Sequence, residues 1–77
     1  MSRTFTDESL MTWEAYPSSG EWGLPLEPAI VFNPVSDPSV RPRYVEVPGD
    51  EADAEGLVLR SDEDGLRELL RQSKPLD

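Results

Sequence analysis

Pro34, Pro38 and Pro42 stand four residues apart in the middle of the chain, with Pro17, Pro25 and Pro28 before them and Pro48 after. A proline ring has no amide hydrogen to donate and clashes with the preceding helical turn, so no helix runs through 34–42. That stretch reads as a rigid loop delivering the chain to Arg43. Order in the first two thirds of the chain must then come from short extended segments between the prolines.

Three such segments have the pattern of strands. From Leu10 to Tyr16, Met11, Trp13 and Ala15 alternate with Thr12 and Glu14, the period of two that puts one face of a strand in a core. Ala29, Ile30, Val31 and Phe32 form a short apolar run rich in β-formers, closed by Pro28 and by Asn33-Pro34. From Arg43 to Val47 alternation returns, with Val45 and Val47 on one side, Tyr44 and Glu46 on the other, and Pro48-Gly49 as a turn. Leu57, Val58 and Leu59 could add a fourth strand after an acidic stretch, Asp50 to Glu55, with room for one helical turn.

Beyond residue 60 the period changes. Leu66, Leu69 and Leu70 fall at i, i+3 and i+4, which predicts a helix from about Asp62 to Gln72 with a buried leucine stripe, stopped by Pro75. Ser61 followed by Asp64 resembles a capping box at its start, and Glu63 and Arg67 are spaced to pair on its exposed side. Residues 1–8 show no period and are expected to trail as a disordered tail. The expected architecture is α+β over residues 9–77: an antiparallel sheet of three or four strands covered by one C-terminal helix. The clustered aromatic and aliphatic positions favour a folded chain over the disorder that eight prolines and a high net charge would otherwise suggest.

Composition bounds function more tightly than any motif does. The chain has no Cys and no His, which removes disulfides, thiolate chemistry, Cys-ligated metals and the side chain that most often moves protons near neutral pH. Sixteen acids against seven bases give a net charge of −9, which repels nucleic-acid phosphates and anionic lipid. The bases are six Arg to one Lys, a bias that a GC-rich genome or adaptation to high salt would produce. No apolar window approaches the ~18 residues of a membrane span, and the N-terminal residues lack a signal-peptide pattern, so cytoplasmic residence is the expectation.

The motifs are weak and each has a plain structural explanation. Glu51, Asp53, Glu55 and Asp62, with Gly56 between them, resemble a calcium loop, although Glu51 and Asp62 depart from the residues such a loop requires at its ends. Leu66 to Leu70 spells a helix-docking string, but those leucines are needed for the core of so short a chain. Ser61-Asp62-Glu63-Asp64 has the acidic context of a phosphorylation site, but a Ser at a helix start is more simply explained as a cap. Glu14, Glu27 and Glu46 could pair as carboxylates, but catalysis would need a cleft that 77 residues hardly enclose. Trp13 belongs to the core, whereas Trp22, in a loop, and the basic pair Arg41 and Arg43 are the candidate partner contacts. The expected role is therefore a small acidic, non-catalytic protein-interaction domain without a cofactor, an accessory or regulatory subunit meeting a basic partner. An acidic mimic of nucleic acid and a weak calcium-binding module are the alternatives.

Overall fold

A computed structural model describes residues 2–19 and 28–75. Within them the chain forms β1 (Arg3–Thr6), β2 (Thr12–Ser19), β3 (Pro28–Pro34), β4 (Arg43–Glu46), α1 (Glu51–Arg60), α2 (Glu63–Gln72) and β5 (Lys74–Pro75). The strands make one antiparallel sheet in the order β1-β2-β3-β4-β5. The α+β class is as expected, but the sheet has five strands and is accompanied by two helices.

Pairing register explains the two faces. Phe5 lies opposite Trp13, Ala15 opposite Phe32, and Ile30 opposite Val45, so these side chains project to the same side of the sheet. That side meets Ala54 and Val58 of α1 and Leu66 of α2, all three fully buried, in one core cluster. Phe5 and Phe32 meet edge to face with ring centroids 6.0 Å apart, a favoured aromatic geometry. The other side carries Thr4, Glu14 and Asn33 in one row and Tyr16, Val31 and Tyr44 in the next.

The N-terminal residues are a correction. Arg3–Thr6 is a paired edge strand and not a tail, because Phe5 supplies an aromatic ring that the core of the sheet lacks without it. Burying such a ring contributes roughly 1.5–3 kcal/mol, enough to order a four-residue strand that has little other apolar surface.

A second correction concerns 50–60, which is helix and not strand at Leu57–Leu59. Asp50 accepts the amide of Asp53 while the Asp53 carboxylate accepts the amide of Asp50, a reciprocal capping box that satisfies two otherwise orphaned donors. Ala54 and Val58, four apart, then form the buried stripe, and Leu59 faces solvent. Ser61 does not start the next helix. It closes α1 by donating its amide and hydroxyl to Leu57 O, and Asp62 is the residue that caps α2, accepting from the Gly65 amide at 2.8 Å. The Glu63–Arg67 pair is present at 2.8 Å.

Two glycines test this account of α1 with opposite signs. Gly49 has φ +115°, and a Cβ there would collide with the Asp53 carboxylate that completes the capping box. Gly49→Ala is expected to lower stability by at least about 1 kcal/mol. Gly56 lies inside the helix, where a Cβ would meet only the movable end of the Arg60 side chain. Gly56→Ala is expected to raise stability by about 0.5–1 kcal/mol, and urea unfolding of the two variants checks both signs.

Candidate functional site

The β1–β2 connection is built around Asp7. Its Oδ1 accepts the amides of Ser9 and Met11 at 2.8 and 2.9 Å, and its Oδ2 accepts the indole N–H of Trp13 at 2.8 Å. The Asp7 amide donates to Met11 O and the Leu10 amide to Asp7 O, the bond pattern of a type I turn followed by a left-handed residue. Burial opposes ionisation of Asp7, but the hydrogen bonds from Trp13, Met11 and Ser9 and the nearby Arg67 charge outweigh it and hold the carboxyl below its usual value.

The left-handed position in this turn is one that glycine fills at least cost. Here it holds Leu10, at φ 65°, with its side chain pointing away from the protein and the residue 83 % exposed. A left-handed conformation costs an L-residue roughly 1–2 kcal/mol, and an exposed leucine recovers nothing by packing. The strand predicted to begin at Leu10 begins instead at Thr12, because the turn consumes the residues before it.

Beside this tip lies a cavity of about 330 Å³. Trp13 and Leu70 give it an apolar wall, and Arg43, Arg67 and Arg71 line it as well, three of the seven basic residues in a chain of charge −9. The remaining lining comes from the tip: Asp7, Glu8 and Ser9. Arg67 is heavily engaged, donating from Nε to Thr6 O at 2.7 Å and from its terminal nitrogens to Asp64 and Glu63. Arg43 donates from Nε to Ser73 Oγ at 2.8 Å and from Nη2 to Ser73 O at 2.6 Å, tying β4 to the end of α2. Arg71 approaches Glu68 at 3.2 Å and Glu8 at 3.6 Å.

The residues singled out from sequence are dispersed. Trp22 and Glu27 lie outside the described residues, as does the Glu51 side chain. Arg43 reaches the cavity, but two of its three guanidinium nitrogens are occupied by Ser73; Arg41 does not line the cavity. Asp53 and Glu55 sit on α1, and Asp53 and Asp62 are each engaged as helix caps. Among the described residues no three or more acidic side chains come close enough together to hold a metal ion. Glu14 and Glu46 project to the same side of the sheet but lie opposite Asn33 and Ala29, four residues apart along β3, which separates them by more than ~13 Å. Paired catalytic carboxylates stand about 5–9.5 Å apart. Leu66 is buried, and Leu69 and Leu70 are half-buried against the core, so the leucine string is spent internally. Sequence reasoning missed Asp7, Leu10, Arg67 and Arg71 as a group; the Asp at the first position of a turn was the one local signal.

Comparison with protein-family models, curated proteins and solved structures finds no significant match to this chain. No helix among the described residues is long and apolar enough to cross a membrane.

Proposed function

We propose that the chain is a small protein-interaction domain that acts by contact, as an accessory or regulatory subunit, and that the β1–β2 tip is its principal contact. The observation that supports this reading is Leu10: a large apolar side chain, almost fully exposed, on a backbone conformation that disfavours it. Exposed apolar anchors on a rigid turn bind with little ordering cost, because the Asp7 hydrogen bonds already fix the loop.

The test uses the full chain as bait in lysate of its source, beside a Leu10→Asn variant, since asparagine tolerates the left-handed conformation. A protein retained by the native chain and lost with Leu10→Asn is the expected result. An identical set of proteins on both baits would overturn the reading.

A second reading, a mimic of nucleic acid, draws support from the exposed acids Asp53, Glu55, Asp62, Glu63 and Asp64 carried by α1 and the start of α2. It predicts a basic partner that is released by salt and unaffected by Leu10→Asn.

A further inference from the structure

We propose that the cavity beside the tip receives a carboxylate joined to a small apolar group, the chemistry of a partner's chain end or of an acidic residue next to an apolar one. This deepens the reading of the tip as a contact site and rests on it. In a chain with a large excess of acids, three arginines line this one cavity, and its wall is apolar at Trp13 and Leu70. Its volume, about 330 Å³, falls at the small end of ligand pockets, which run from about 300 to 1,000 Å³.

The three arginines are not equally committed. Arg67 spends its guanidinium on Thr6 O, Asp64 and Glu63 and serves as a fixed charge in the lining. Arg43 uses Nε and Nη2 on Ser73, and among the described residues its Nη1 makes no hydrogen bond. Arg71 is largely exposed and meets Glu68 at 3.2 Å and Glu8 at 3.6 Å, both from carboxylates that are themselves more than half exposed. Solvent-exposed ion pairs of that kind are weak, so an incoming carboxylate displaces Glu8 at small cost. It gains charge-assisted bonds from Arg71 and from the open side of Arg43. Glu8 thus occupies, weakly, the place of the ligand's own carboxylate, while the apolar part of the ligand covers Trp13 and Leu70.

The test is a ¹⁵N–¹H NMR titration of the full chain with N-acetyl-leucine, its neutral amide, and inorganic phosphate. Saturable shifts of the Ser9 amide and the Trp13 indole N–H with the acid, and not with the amide or with phosphate, are expected. Glu8→Gln, by removing one of the two carboxylates that pair with Arg71, should tighten binding about two- to fivefold, and Arg71→Gln should weaken it by a similar factor. Both sites are at the surface, so neither variant threatens the fold. Equal response to acid and amide, or none to either, overturns the inference. A phosphate response matching that of the acid overturns its apolar half and leaves a plain anion site. Loss of a captured partner with Leu10→Asn, but no response to N-acetyl-leucine, would overturn the inference while sparing the contact reading. Response to N-acetyl-leucine with capture insensitive to Leu10→Asn would do the reverse.

Discussion

Phe32→Ala is expected to leave the chain without a cooperative unfolding transition at room temperature. Phe32 is fully buried at the centre of β3, faces Phe5 edge to face, and joins the sheet to Ala54, Val58 and Leu66 in one cluster. Truncating a buried phenylalanine to alanine costs about 3–5 kcal/mol, from lost transfer energy and from the cavity left behind. A core of this size supplies only about 3–5 kcal/mol in all, and no disulfide adds to it because the chain has no Cys. Far-UV circular dichroism against urea reads the result directly. Phe32→Leu, which keeps most of the volume, should retain a transition at a lower midpoint. A Phe32→Ala chain that unfolds cooperatively at the native midpoint would contradict the packing described.

The second large effect is expected at Asp7. Three N–H groups point at its two oxygens, and Asp7→Asn replaces one oxygen with an NH₂ donor, so at least one of those groups faces another donor. Hydrogen bonds to a charged group contribute about 1.5–3 kcal/mol, and the lower end applies here because water reaches part of the carboxylate. The Asp7→Asn variant should lose about 1.5 kcal/mol by urea unfolding at neutral pH, and the Trp13 indole N–H resonance should move.

The pH dependence follows from the sign of the Asp7 shift. Its carboxyl is held below the usual value in the folded protein, so its contribution is complete above the unfolded value of about 3.9. That contribution is lost as pH falls through the lower folded value. The native chain should weaken in that acid window and Asp7→Asn should weaken less, so the two stability curves converge there. Parallel curves would show that Asp7 does not act through its charge.

How much of this was legible in the sequence depended on the range of the signal. The strands at 29–32 and 43–47 were visible because alternation and bounding prolines are local, and α2 because Leu66, Leu69 and Leu70 keep a helical period. β1 was not, since Phe5 stands alone between threonines and its meaning depends on Trp13 lying across the hairpin. α1 was obscured by Leu57, Val58 and Leu59, a contiguous trio that imitates a buried strand. Its period is carried by Ala54 and Val58, and its start by an aspartate at both positions of the capping box.

The site was less legible than the fold for a physical reason. Arg43 meets Ser73 thirty residues later, and Arg67 meets Thr6 sixty-one residues earlier, so no local pattern announces either contact. Arg3 likewise reaches the Val58 and Ser61 carbonyls at the end of α1. These arginines each serve several acceptors across elements, a task that lysine's single ammonium performs poorly, which gives the Arg-rich composition a structural use. Leu10 was invisible for the opposite reason: the turn calls for glycine, and a leucine there looks like the beginning of a strand.

Denaturation of Leu10→Asn tests the central claim most directly. If Leu10 is held out for contact at the expense of the fold, asparagine should relieve the left-handed strain and raise the unfolding free energy by about 0.5–1 kcal/mol. A variant less stable than the native chain would contradict the account and make Leu10 a structural residue of the hairpin.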